Sequence, residues 1–286
     1  MSVDRDRMDR TGQLIGGRFR IEAPIGTGAM AKVFRATDAQ TGDSVAVKIL
    51  RSSLGGDPSA KERFKREGDV QQRMRHRNIA ALLGSGVTEY EEPYLVVELL
   101  RGKTLRGVLK EEKRVAPRRA ASYAWQALQG LTAVHAAGVL HRDLKPANIM
   151  LEPSPGPVER VVLIDFGFAT FEGSARLTAQ GTVVGSLRYM APERLRGEPV
   201  DPRSDVYAIG VMLYEMLVGE PPFGGADDFS LIDAHLNHDP PPLDASLPQT
   251  FDAIILRAMA KDQSDRYADA AEMAKALEAA SMALTE

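Results

Sequence analysis

The chain has 286 residues, with 36 basic and 39 acidic side chains, a net charge of −3 and no cysteine. Length admits one large domain or two small ones, and the missing cysteines exclude disulfides, thiolate zinc sites, iron–sulfur ligation and a cysteine nucleophile. The near-neutral charge leaves no footprint for broad nucleic-acid binding, no apolar run reaches the length of a membrane span, and the charged N-terminus lacks the apolar stretch of a signal peptide. A soluble, cytoplasmic protein, or the cytoplasmic domain of a longer membrane-anchored one, is the expectation.

The first 16 residues alternate Asp and Arg and end at Gly16-Gly17, which reads as a solvated extension. From Arg18 to Glu98 the punctuation is strand-like: Phe19-Arg20-Ile21, Lys32–Ala36, Ser44–Leu50 and Tyr94–Val97 are short β-rich runs. Thr41-Gly42-Asp43 supplies turn chemistry, and one charged helical segment, Pro58 to Arg75, interrupts the strands. After Glu98 the pattern becomes helical. Pro117 opens a helix carrying Ala124, Leu128, Leu131 and Val134 at helical spacing, closed by Gly138. Val206 to Leu217 is apolar around most of its circumference and predicts a buried central helix. Amphipathic stretches follow at Phe251–Ala260 and Ala268–Ala280, with proline-rich loops between the large helices.

Chemistry concentrates in a few places. Gly26-Thr27-Gly28-Ala29-Met30-Ala31 lies between two predicted strands, where glycines serve either a plain hairpin turn or a backbone that must approach phosphates. Some twenty residues on, Val45-Ala46-Val47-Lys48 is an apolar strand ending in one lysine, placed either toward water or toward anionic oxygens. Glu67 on the charged helix is its candidate partner. His141-Arg142-Asp143-Leu144-Lys145-Pro146-Ala147-Asn148 puts a carboxylate, an ammonium and an amide on one constrained loop after a helix. The apolar strand Val161–Ile164 then delivers Asp165-Phe166-Gly167. A carboxylate at the end of a buried strand needs a cation, and the hard oxygens of Asp165 and Asn148 suit Mg²⁺.

Together, in this order, these motifs resemble the eukaryotic-like serine/threonine protein kinases, closest to the bacterial ones, over residues 18–280. The resemblance implies an α+β, bilobal kinase fold: an antiparallel N-lobe sheet with one helix, and a mainly helical C-lobe. It divides the chain into a flexible extension (1–17), an N-lobe (18–98), a hinge (98–102), a C-lobe (103–280) and a tail (281–286). It implies that Gly26 and Gly28 cover the ATP phosphates, with Ile25, Val33 and Ala46 as neighbours of the nucleotide. Lys48 then contacts the phosphates while paired with Glu67, and Glu98 and Leu100 meet adenine, with Val97 as a small gatekeeper. Asp143 becomes the catalytic base, Lys145 reaches the transferring phosphate, and Asn148 and Asp165 ligate Mg²⁺, or Mn²⁺ in its place.

Lys145 with Ser186 is the pattern of Ser/Thr rather than Tyr specificity, so protein Ser/Thr hydroxyls are the implied acceptors. Glu193 and Arg266 match a family ion pair, and Asp205 a family anchor for the His141-Arg142 backbone. Leu187 and Met190 are expected to line an apolar pocket for the residue after the acceptor. Two departures stand out. The third glycine of the loop is Ala31, and Thr170 replaces the basic residue that usually helps Arg142 hold a loop phosphate. Thr178 and Thr182 are the candidate autophosphorylation sites, and the loop Pro153–Glu159 reads as a surface insertion. Bacterial relatives pair through a lobe surface, so a homodimer is admitted. The rival readings are a pseudokinase, disfavoured by the full set of Lys48, Glu67, Asp143, Asn148 and Asp165, and a small-molecule phosphotransferase, disfavoured by the peptide-docking segment ending at Glu193.

Overall fold

A computed structural model of the chain describes residues 9–156, 158–165, 187–225 and 227–283. They form two compact units, one of residues up to His76 with Ala80–Leu100, the other of Arg77–Ile79 with everything from Arg101 onward.

The first unit is a six-stranded antiparallel sheet with one helix. The strands are β1 (Leu14–Ile15), β2 (Phe19–Thr27), β3 (Ala31–Asp38), β4 (Ser44–Leu50), β5 (Leu82–Val87) and β6 (Pro93–Glu98), in the order β1-β2-β3-β4-β6-β5. Alternation along β2 and β3 sends Phe19, Ile21, Phe34 and Ala36 into one core with Val45, Val47, Tyr94 and Val96. Helix α1 (Pro58–Gln71) begins where the Asp57 side chain accepts from the Ser59 N–H. It runs four residues short of the predicted segment, because after Gln71 the chain enters turns at Arg73 and Met74. Gly68 is required by packing: a Cβ there would lie 2.6 Å from a methyl of Leu95.

The N-terminal segment differs from the solvated extension expected of it. Residues 14–15 form β1, Ile15 is buried, and Arg10 is 5 % exposed with its Nη2 2.7 Å from Glu92 Oε2. Alternating charges read as solvent-facing only when none has a buried partner; here Arg10 finds one 82 positions away.

The second unit is mainly helical. It contains α2 (Leu105–Glu112), α3 (Pro117–Ala136), α4 (Pro192–Arg196), α5 (Pro202–Val218), α6 (Asp228–Asn237), α7 (Gln249–Ala258) and α8 (Ala270–Met282). A small sheet of β7 (Lys103–Thr104), β8 (Ile149–Glu152) and β9 (Arg160–Leu163) completes it, in that order. Every residue of α5 from Ser204 to Leu217 is buried, as its all-round apolar sequence requires, and α3, α7 and α8 pack about it. Asp201 caps α5, with Pro202 at its first turn and Gly219 closing it in the left-handed conformation. Gly210 allows α7 to approach, since a Cβ there would meet that of Ala258 at 2.9 Å. Among the described residues no helix is long and apolar enough to cross a membrane.

His235 on α6 lies fully buried, sharing a 2.8 Å hydrogen bond with the Tyr207 hydroxyl, edge-on to Phe223 at 4.9 Å. Lys261 Nζ sits 4.7 Å over the same Phe223 ring. Burial, with the Lys261 charge, lowers the His235 pKa to about 4, whereas an unfolded imidazole titrates near about 6.5. A depressed pKa favours folding above the unfolded value, and that contribution is lost as pH falls toward the folded one. Between pH 7 and 5 the chain is therefore expected to lose about 2 kcal/mol of unfolding free energy through this group. Urea denaturation at the two pH values should show the loss, and His235→Leu should flatten it; an equal pH slope in the variant would remove His235 as its source.

Candidate active site

In the first unit, β2 and β3 are joined by the glycine-containing turn. Gly28 N–H donates to the Ala31 carbonyl at 2.8 Å, closing it. Neither Gly26 nor Gly28 has positive φ, and a Cβ on either would touch nothing closer than 3.9 Å and 3.5 Å respectively. The protein's own packing thus does not demand glycine there. Ile25, Gly26 and Gly28 are exposed, and Val33, opposite Gly26, is half-buried. The third position is different: Ala31 is buried in a cluster with Leu50, Phe64 and Leu95, against which Met30 packs. The alanine is filled by packing, which explains its departure from glycine.

Lys48 leaves β4 directly opposite Val33, and its Nζ lies 2.7 Å from Glu67 Oε1 on α1. Both side chains are largely buried, and the ammonium stands 6.0 Å from the centre of the Phe64 ring. Ala46 is buried beside Val97 on β6, which is half-buried. Glu98 spends its backbone N–H on the Ala81 carbonyl and accepts the Ala81 N–H through Oε1, both at 3.0 Å. Leu100, the last residue of this unit, is half-buried.

In the second unit, the loop after α3 gathers the other group. Lys145 Nζ donates to Asp143 Oδ2 at 2.7 Å, and Asn148 Nδ2 donates to the same oxygen at 2.9 Å and to the Asp143 carbonyl at 2.8 Å. A short 3-10 turn, Pro146–Asn148, makes this possible, with the proline supplying its fixed φ. The Asn148 carbonyl accepts from Ile164 at 3.0 Å, so the loop and the end of β9 are bonded to each other one residue before Asp165. Asp165 itself is exposed and adopts φ 54°, and Arg142 adopts φ 64°. Positive φ costs a non-glycine residue about 1–2 kcal/mol.

The counterweight is Asp205, buried on α5. Its carboxylate accepts from the His141 N–H at 2.9 Å, the Arg142 N–H at 3.1 Å, and shares a 2.8 Å bond with His135 Nε2. Burial pushes the Asp205 carboxyl up, but the His135 bond and charge outweigh it and hold the group below its ordinary value. His141 is fully buried, and burial lowers its pKa.

Glu193 and Arg266 make a two-pronged pair at 2.9 and 2.8 Å with exposures of 2 % and 0 %, and Ser204 Oγ also donates to Glu193. Leu187 and Met190 are buried in the same core. Between them, Tyr189 donates to Glu215 Oε2 at 2.6 Å, and Arg106 reaches both the Tyr189 hydroxyl and Glu215. This network, His135 and Arg194, whose guanidinium donates to the Arg142 carbonyl, were not singled out from sequence. Their partners stand too far away along the chain for spacing to betray them. Phe166, Gly167, Thr170, Thr178, Thr182, Gly185 and Ser186 lie outside the described residues.

The donor set fits a hard cation. The Asn148 amide nitrogen is committed to Asp143, and the donors that Asn148 and Asp165 could give a cation are an amide oxygen and a carboxylate, hard oxygens of the kind that suits Mg²⁺. The open space at Gly26 and Gly28 likewise fits a phosphate chain approaching the backbone.

A motif order of glycine turn, paired lysine, loop carboxylate and strand-end carboxylate, on a sheet unit and a helical unit, is the pattern of the protein-kinase class. The family model for the protein kinase domain matches residues 19–279, and the chain belongs to that family. It is 41 % identical over 273 residues to a probable serine/threonine-protein kinase PknB of Corynebacterium glutamicum, covering 91 % of this chain and 42 % of that one. It is 38 % identical over 271 residues to serine/threonine-protein kinase PknB of Mycolicibacterium smegmatis, covering 92 % and 43 %. The chain thus spans about two fifths of the length of these relatives. The crystal structure of the Mycobacterium tuberculosis PknI kinase domain superposes with a TM-score of 0.73 over 96 % of this chain and 99 % of that one, at 23 % identity, a likeness of fold.

Removing one side of the Glu193–Arg266 pair strands a buried charge, which costs about 3–5 kcal/mol. Arg266→Met should lower the unfolding free energy measured by urea denaturation by that much, and adding Glu193→Gln should recover part of the loss. A near-neutral single variant would show that the pair contributes little.

Proposed function

We propose that this chain is a catalytic domain that transfers the γ-phosphoryl group of MgATP to Ser and Thr hydroxyls of protein substrates, with autophosphorylation at Thr178 and Thr182. The observation that carries this reading is the engagement of one oxygen of Asp143 by both Lys145 and Asn148. A carboxylate held this way is fixed in position to orient an attacking hydroxyl and accept its proton.

The other residues take the roles their chemistry suits. Lys48, oriented by Glu67, offers its ammonium to the α- and β-phosphates, while the backbone at Gly26 and Gly28 lies over the triphosphate, flanked by Ile25, Val33 and Ala46. Glu98 and Leu100 meet adenine. Lys145, already beside Asp143, stabilises charge on the transferring group. Asn148 and Asp165 would hold Mg²⁺, which, when bound, neutralises phosphate charge; Mn²⁺ is the alternative ion. Together they carry out an in-line displacement: the acceptor oxygen bonds to γ-phosphorus, the bond to the ADP oxygen breaks, and the hydroxyl proton passes to Asp143.

Transfer of labelled phosphate from ATP to the chain itself and to a generic protein substrate tests the reading. Asp143→Asn is expected to lower kcat by about 10²–10⁴-fold with little change in KM for ATP. Lys48→Met should lower kcat as well. No incorporation by the parent protein with Mg²⁺ or Mn²⁺ would return the assignment to a non-catalytic member of the fold.

A further inference from the structure

Lys261, three residues beyond the end of α7, reaches the last turn of α6 from outside. Its Nζ donates to the His235 carbonyl at 3.1 Å and to that of Ala234 at 3.5 Å. Arg196, the last residue of α4, brings Nη2 to 3.5 Å from the next carbonyl, that of Leu236. An ammonium and a guanidinium thus converge on one helix end. The ammonium also stands 4.7 Å from the centre of the Phe223 ring, whose other neighbour is the buried His235. Among the described residues Lys261 makes no ion pair, and it is half-buried rather than enclosed. Asp239 favours its charge, while burial and the charges of Arg266 and Arg196 oppose it. Burial is the largest of these, and the outcome is a pKa brought down from 10.5 to about 8. A desolvated lysine beside another cation is the arrangement that makes an amine nucleophilic near neutral pH.

We propose that Lys261 is a site of acylation by acyl phosphates, the mixed anhydrides of a carboxylic acid and phosphoric acid. The neutral amine adds to the acyl carbon and a C–N bond forms. The bond from that carbon to the bridging oxygen then breaks, inorganic phosphate leaves with the electron pair, and the proton shed by nitrogen passes to it or to water. Arg196 suits the donor: its guanidinium is exposed, paired only at 3.8 Å with Glu198, and can take a phosphate oxygen. The amide product keeps one N–H for the end of α6. It loses the charge that stood over Phe223 and against the negative end of the helix. None of this depends on phosphoryl transfer from ATP.

The test is mass spectrometry of the full chain incubated with acetyl phosphate between about pH 7 and pH 10, following each lysine. At pH 8 about half of the Lys261 side chains are neutral, against under about one per cent for an ordinary lysine. Lys261 is therefore expected to react at least about tenfold faster than the exposed Lys110 and Lys275, with a rate that levels off above about pH 9. Its neighbours hold one charge state over that range. His235 is neutral, burial raises the Tyr207 phenol on α5, and the two arginines stay cationic. Chain unfolded in urea should lose the preference. Arg196→Gln should slow acetyl phosphate more than it slows N-acetoxysuccinimide, an acyl donor without charge. A Lys261 rate no greater than those of Lys110 and Lys275 overturns the proposal, as does a preference that survives unfolding. Equal slowing of both donors by Arg196→Gln, or none, overturns the acyl phosphate as the donor. A chain inactive in labelled transfer from ATP would still decide this test, because acetyl phosphate reacts without the kinase site.

Discussion

The carboxylate of Asp205 is the interaction on which the geometry of the helical unit turns. A buried charge is tolerated only when its lone pairs are taken up, and here a histidine and two consecutive backbone N–H groups do so. Those two N–H groups belong to His141 and Arg142, and Arg142 holds a positive φ that a non-glycine residue adopts at a cost. The bond from its own N–H to Asp205 offsets that cost. Helix α5 holds the carboxylate within the core, being buried over nearly its whole length, so the loop is anchored to a thoroughly packed element of its unit.

A second anchor works from the other side. Glu193, in the first turn of α4, is held by Arg266 and Ser204, and the Arg266 guanidinium lies 5.0 Å over the ring of Tyr207 on α5. Tyr189 is held to Glu215 near the far end of the same helix. The segment ending at Glu193 is therefore fastened to α5 at two places, and Asp205 fastens the loop of His141 and Arg142 to it at a third. One largely apolar helix is thus tied to both elements, through Asp205 to the loop of His141 and Arg142 and through Ser204 and Glu215 to the segment ending at Glu193.

The loop group of Asp143, Lys145 and Asn148 was legible in the sequence because its members stand within a few positions of one another and on a proline-constrained loop. Asp143, Lys145 and Asn148 meet through a local turn, so spacing alone brought them together. The fold class was legible through the family resemblance of the motifs, and the long helix from Pro117 and the buried helix α5 through periodicity. What escaped depends on contacts between distant positions. His135 meets Asp205 70 positions on, Arg106 meets Glu215 109 positions on, and Arg10 meets Glu92 82 positions on. Strand β8 escaped for a different reason, since four residues immediately after a conspicuous motif leave no room for a period to show.

Ala31 shows how a departure from a pattern can carry information. Its Cβ is buried with Phe64, one helical turn before Glu67 on α1, so both face the same side of that helix. Leu50, two residues after Lys48, lies in the same cluster. The end of the glycine turn, the strand bearing the lysine and the helix bearing its partner are thus packed through one small apolar core. Enlarging Ala31 would push on Phe64 and, through it, on the 2.7 Å contact between Lys48 and Glu67. Gly26 and Gly28 have no comparable neighbours, and their openness is free to serve a ligand. Within a single turn, then, two positions are small without any demand from the protein's own packing, and one is small for what already lies beneath.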